Sequence, residues 1–390
     1  MRSGWMTEMR WAPLILLTLS GPVLADELKI GHLSLIEDPR HVQDWGYARL
    51  IAPPPVITVD AAKMAVSDLQ FTTDAVGLTV TLDAQAVDEA DVVATAQAMV
   101  AAGSTYLVLD LPGSEVSEVA AALKDQPVLV VNATAPEQSL RTACHPNLIH
   151  SGPSLRQETD AFAQYLRAMN WDKVLILQGE HPSDAGLADS FIGSAERLRL
   201  TVVDRKPFTL AADPSSREGN NIKLLTADHD YDVVFVADTR GEFGRYVPYA
   251  TLLPRPVIGS VGLTSQPWHW ALERDGATQV SSRFDKLTGR KIQPADWDVW
   301  IAVKSLISAA IKSPGASPLA LREFLTSERL RLDGSKGVTL NYRTWDGQMR
   351  QPILLATSDA VIAIAPIEGF THQKTTLDTL GTDETEFACD

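Results

Sequence analysis

Residues 106–134, YLVLDLPGSEVSEVAAALKDQPVLVVNAT, decide the fold. Residues 106–109 and 128–131 are short, unbroken apolar runs, the pattern of strands buried on both faces. Between them, Val116, Val119, Ala120 and Leu123 recur at three- and four-residue spacing, which predicts a helix over 114–123. Strand, helix and strand at this separation form a βαβ unit, whose strands run parallel.

The same alternation extends in both directions. Strands are expected over 28–33, 78–82 and 147–150, with helices over 61–71 and 88–102. Ser151-Gly152-Pro153-Ser154 then breaks the run, and the rhythm restarts. Helices are expected over 155–169 and 184–198, and strands over 173–177, 200–203, 232–236 and 256–259. Helices over 297–311 and 319–325 precede short strands over 337–340, 352–356 and 361–365, read as a small antiparallel region. Pro53-Pro54-Pro55 reads as a stiff loop. A chain of 390 residues exceeds the usual size of one hydrophobic core, so two α/β units are expected.

Residues 1–25 read as an export leader: Arg2 and Arg10 supply a basic start, 11–19 an apolar run, and Val23-Leu24-Ala25 a cleavage site before Asp26. The run is well short of the roughly 20 residues of a membrane-spanning helix. Aspartate rather than cysteine at position 26 argues against a bacterial lipid anchor. Asp and Glu number 49 against 34 Lys and Arg, a formal charge of −15, and no basic block interrupts this field, so nucleic-acid binding is not expected. Cys144 and Cys389 are the two cysteines. In an oxidising compartment they read either as one disulfide tying the C-terminus to a distant loop or as two unpaired thiols.

Ligands of parallel sheets collect outside the carboxyl ends of the strands. Asp110, Gly113 and Ser114 occupy one such end, Asn132 and Thr134 a second, and Asp238, Arg240 and Glu242 a third; these are the expected ligand contacts. Separately, Asp110 also reads as a turn residue and Ser114 as a helix cap. Trp268 and Trp270 flank His269, either as packing residues or as a platform for a planar ligand, with Arg240, Arg245 and Arg283 as cationic partners. Nucleophile-elbow, phosphate-loop and zinc-protease patterns are absent, and the eight histidines do not fall at metal-ligand spacings. A binding protein is expected, not an enzyme, with no cofactor or metal.

The order of 106–110 and 127–136, with the closing stretches Leu332 to Asn341 and Trp345-Asp346-Gly347-Gln348, resembles type I periplasmic binding proteins of the Leu/Ile/Val-binding class. Cys144 to His150, YDVVFVADTRGEFGRYVPY over 231–249, Pro267 to Trp270 and Asp346 to Pro352 are similar to a subfamily of ABC-transporter substrate-binding proteins. That subfamily accompanies pyrroloquinoline quinone (PQQ)-dependent alcohol dehydrogenase systems. The resemblance implies an α/β fold of two lobes, each a mostly parallel sheet flanked by helices, joined by a three-segment hinge near 151–154, 260–266 and 334–336. Residues 26–150 with 262–335 would form one lobe, 151–261 with 336–370 the other, and 371–390 a tail. It implies a periplasmic solute-binding role, with an inner-membrane ABC permease as partner and PQQ or an alcohol-oxidation product as ligand; a non-transport sensor or accessory of a periplasmic dehydrogenase is the alternative. The first loop carries Asp110, Pro112 and Gly113 where the class offers small hydroxyl residues, and Gly259-Ser260-Val261-Gly262 replaces the loop with an acidic partner for an ammonium. Both departures argue against an ordinary α-amino acid.

Overall fold

The structure, a computed structural model, describes residues 26–41, 56–209 and 220–389. The expected leader and the Pro53-Pro54-Pro55 loop lie outside the described residues. Five strands, β1 (Asp26–Leu35), β2 (Leu78–Val87), β3 (Tyr106–Asp110), β4 (Leu129–Asn132) and β5 (Leu148–His150), form a parallel sheet in the order β2-β1-β3-β4-β5. Helices α1 (Val59–Val76), α2 (Val92–Ala101), α3 (Gly113–Ala122) and α4 (Ser139–Thr142) connect them. All residues of β3, β4 and β5 are buried, which is why these segments read as continuous apolar runs.

A second parallel sheet repeats the design. After α5 (Leu155–Met169), strands β6 (Lys173–Gln178), β7 (Thr201–Pro207), β8 (Val233–Ala237) and β9 (Val257–Gly259) lie in the order β7-β6-β8-β9, with α6 (Pro182–Arg197) and α7 (Ile222–Leu225) between them. Ser154 starts α5 with a capping box: its hydroxyl accepts from the Gln157 amide at 3.2 Å while Gln157 Oε1 accepts from the Ser154 amide at 3.0 Å. The break read at 151–154 is therefore a helix start.

The remaining chain returns to the first sheet. Strand β10 (Thr264–Gln266) is followed by α8 (Ala277–Thr288), α9 (Pro294–Lys312) and α10 (Pro318–Leu325), then β11 (Leu332–Asp333), β12 (Thr339–Tyr342), β13 (Met349–Arg350), β14 (Ile353–Ala356) and β15 (Val361–Ala365). Both three-stranded sheets, β11-β12-β13 and β10-β14-β15, are antiparallel, as expected for the closing region. One apolar core joins Ile30, Val108 and Val131 to Trp297, Leu306 and Leu340, so residues far apart in sequence complete the first lobe. Another joins Phe162, Ile176 and Phe235 to Ile353, Leu355 and Leu380.

These cores shift two of the expected crossings. Leu263 packs in the second core and β10 pairs with β14, so the second crossing falls after 266. Leu340, Tyr342 and Met349 pack in the first core, where the Tyr342 hydroxyl meets Ser305 Oγ at 2.9 Å. The third crossing accordingly falls near Arg350–Ile353 instead of 334–336. At the first crossing the backbone approaches so closely that a Cβ on Gly152 would lie 2.0 Å from the Ala133 carbonyl oxygen, which leaves room for glycine alone. Cys144 and Cys389 form a disulfide with their Cα atoms 5.6 Å apart.

Candidate functional site

Both sheets reverse strand order beside their first strand, at β1/β3 and at β6/β8, and such reversals open a crevice at the carboxyl ends. At the first crevice, Asp110 ends β3 beside Ser34 of β1. Its carboxylate, 1 % exposed, accepts from Thr58 Oγ1 at 2.6 Å, Thr134 Oγ1 at 2.7 Å, His41 Nε2 at 2.8 Å and Arg40 Nη2 at 3.3 Å. Arg40 also clasps Asp38 through Nε and Nη2 and donates from Nη1 to Thr134 at 3.1 Å. Burial by itself would raise the Asp110 pKa. The hydrogen bond and charge of His41, the charge of Arg40 and the Thr58 hydroxyl outweigh it and hold the carboxyl well below its usual range. Burial likewise pulls His41 down, but its bond to Asp110 prevails and raises it.

Asp38, His41 and Asp110 bring three ligating atoms within 4.8 Å of one another. The Arg40 guanidinium bonds both carboxylates and fills the position a cation would need, so the chemistry of this donor set is that of an ion-pair network. Sequence spacing could not find it, because Arg40 lies on the loop after β1 and Asp110 at the end of β3. The signal available was the charged run Glu37-Asp38-Pro39-Arg40-His41 directly after β1.

A cavity of about 490 Å³, none of whose lining residues belongs to this network, is walled by both lobes. Glu137 and Gln138 line it from the loop after β4, and Leu155 and Arg156 of α5 with Gly186, Ser190, Gly193 and Arg197 of α6 line it from the second lobe. A Cβ on Gly113 would lie 2.8 Å from the Glu137 carboxyl carbon, so the start of α3 packs directly on this wall. Glu137 Oε2 and Gln138 Oε1 are buried without a protein donor, whereas Arg156 is engaged by Glu386 and Arg197 by Asp160.

The expected site residues divide. Asp110 and Thr134 converge on the network, and Gly113 packs on the cavity wall. Asn132 is buried and closes its own loop, donating to the Ala135 carbonyl at 2.8 Å and accepting from the Ala135 amide at 3.0 Å. Ser114 makes no cap bond; its exposed hydroxyl donates to Glu115 at 2.7 Å. Asp238 accepts from the amides of Gly241, Phe243 and Gly244, so its carboxylate organises the loop after β8. Arg240 is exposed and Glu242 half-buried on that loop. Trp268 departs most from the platform expectation: fully buried, it stacks on Trp297 with centroids 5.9 Å apart, which leaves no open face for a planar ligand. The Lys291 ammonium sits 3.1 Å over the Trp270 ring. Arg283 pairs with Asp68 of α1, so the three expected cations do not converge on Trp268 and Trp270.

A sequence profile of the family described as periplasmic binding protein matches residues 58–361. No curated relative matches the chain. Among solved structures, a periplasmic binding protein from Burkholderia mallei is similar at TM-score 0.64 and 14 % identity, covering 94 % of this chain and 99 % of its own. A branched-chain amino acid ABC transporter periplasmic ligand-binding protein from Burkholderia xenovorans has TM-score 0.69 and 11 % identity over 86 % of this chain and 95 % of its own. A solute-binding protein of an ABC transporter from Rhodopseudomonas palustris, in complex with 3,4-dihydroxybenzoic acid, has TM-score 0.62 and 13 % identity over 85 % and 93 %. At these identities the likeness shows the shared fold.

Proposed function

This chain belongs to the periplasmic binding protein family, and from that premise we propose that it is the solute-binding component of an ABC-type transporter. It captures a small ligand between two lobes that close about a three-segment hinge. The observation that carries this reading is the cavity of about 490 Å³ with walls from both lobes, within the size range of small-molecule sites. The reading places the chain in the periplasm after removal of residues 1–25 and gives it an inner-membrane permease as partner. No described helix is long and apolar enough to cross a membrane, which accords with a separate permease.

The ligand is not an ordinary α-amino acid. Asp110 sets a saturated carboxylate where a ligand carboxylate would approach, and Ser260 Oγ, in the loop after β9, accepts from the Asp238 amide at 2.9 Å instead of offering a charge to an ammonium. As the ligand class we propose a hydroxylated acid, the kind of compound held by the Rhodopseudomonas palustris protein, or a product of alcohol oxidation. Linkage to a PQQ-dependent alcohol dehydrogenase system rests on the four sequence strings that resemble that subfamily. PQQ itself is the weaker ligand, because Trp268 lies in the core.

Thermal-shift measurement against amino acids, hydroxylated aromatic acids, alcohol-oxidation products and PQQ tests the assignment. A ligand at about 100 times its Kd adds close to 2.7 kcal/mol of stability and raises the melting temperature. Deleting the gene should then abolish uptake of that compound. Normal uptake with lost dehydrogenase activity would favour the accessory role.

A further inference from the structure

The C-terminal segment begins in one lobe and ends covalently on the other. Leu380 is fully buried in the second core, Gly381 donates its amide to Asp160 of α5 at 2.7 Å, and Gln164 of α5 donates to the Thr379 carbonyl at 3.2 Å. From there the segment meets side chains of both lobes. Thr382 Oγ1 accepts from Gln138 Nε2 of the first lobe at 3.0 Å and from Arg156 of the second, and Glu386 pairs with Arg156. Arg343, which directly follows β12 of the first lobe and is fully buried, donates to Asp378 at 2.9 Å and to the Leu380 carbonyl at 2.6 Å. Cys389 is then bonded to Cys144, in a segment whose neighbours Leu140 and Leu148 are buried in the first lobe.

We propose that residues 377–389 form a covalent strap between the lobes, and that the Cys144–Cys389 bond limits how far the cleft opens. The idea rests on the hinge-closure reading above. Fully extended, the stretch from Leu380 to Cys389 would reach on the order of 30 Å, too slack to restrain a hinge by itself. Its contacts at Thr382 and Glu386 take up that slack, and the bond keeps them at high effective concentration so that they re-form after each opening. Gln138 and Arg156, which grip Thr382, also line the cavity between the lobes, so the strap and the cavity share two side chains. When the bond is reduced, the tail keeps its anchor at Leu380 and its contacts with Arg343, but Cys389 no longer ties its end to the first lobe.

The test needs no ligand, so its outcome is separable from whether the protein binds a solute. Dyes are attached through p-acetylphenylalanine at Phe71 and Tyr249, which are 88 % and 90 % exposed and lie in different lobes. Single-molecule energy transfer is recorded for the oxidised protein, for C144S/C389S, and for the oxidised protein treated with a water-soluble phosphine. The phosphine becomes its oxide with the oxygen of one water, whose two hydrogens and the phosphine's electron pair convert the disulfide to two thiols. A narrow distribution that broadens toward lower transfer in both altered forms, with far-UV circular dichroism unchanged, supports the strap. An unchanged distribution overturns it. Should C144S/C389S fail to fold, the reduced protein decides; loss of the far-UV signal there as well assigns the bond to global stability and overturns the hinge role.

Discussion

Asp110 is a buried anion satisfied by four side chains, and removing it takes the acceptor from His41 and two hydroxyls and leaves Arg40 with Asp38 alone as its ion-pair partner. Asp110→Ala should cost about 3–5 kcal/mol, read from urea denaturation midpoints. The partnership with His41 sets a pH dependence whose sign follows from the two shifts. The Asp110 pKa is depressed from 3.8, so its contribution is complete above that value and lost as pH falls through the lower folded value. The His41 pKa is raised from 6.5, so its contribution is complete below 6.5 and lost as pH rises through the higher folded value. The melting-temperature advantage of the native protein over His41→Gln should therefore be largest between pH 3.8 and 6.5 and shrink on the alkaline side. An advantage that grows with pH would show that His41 does not carry the positive charge of this pair. The comparison must be a difference, because His32 and His150 are held down by burial and titrate with the opposite sign.

Among the elements, α5 couples the first crossing to the second lobe through the capping box at Ser154 and Gln157. Ser154→Ala should lower stability by about 1 kcal/mol, measurable by chemical denaturation. Inner strands of both parallel sheets were legible in sequence because burial on both faces writes them as unbroken apolar runs, as in 106–109 and 233–236. Helix α8 was not, since ATQVSSRFDKLT is mostly polar and buries only Ala277, Val280 and Phe284. The third crossing was misplaced for a related reason: β12 and β13 are too short to show which core they join. At the site, Asp110 and Thr134 were legible from their positions at strand ends, whereas Arg40 and His41 depend on a loop meeting a distant strand. Trp268 was ambiguous because an aromatic beside a crossing reads alike whether it packs inward or outward.

On the scale of the whole molecule, the two crevices, the three crossings and the disulfide-linked tail converge on one interface between lobes. The proposed function requires a ligand to occupy the cavity at that interface. Gly186 and Gly193 of α6 line it, and a Cβ at either would meet nothing within 4 Å, so Gly186→Leu with Gly193→Leu should fill the cavity without a clash. Replacing each interior helical glycine should also favour α6 by about 0.8 kcal/mol, so the variant should be at least as stable as the native protein. The decisive measurement is calorimetric titration of both proteins with whichever compound raises the native melting temperature. Saturable binding to the native protein and at least a tenfold weakening in the variant, a change of about 1.4 kcal/mol, are expected. Equal affinity in the two proteins would place the ligand elsewhere and contradict the assignment.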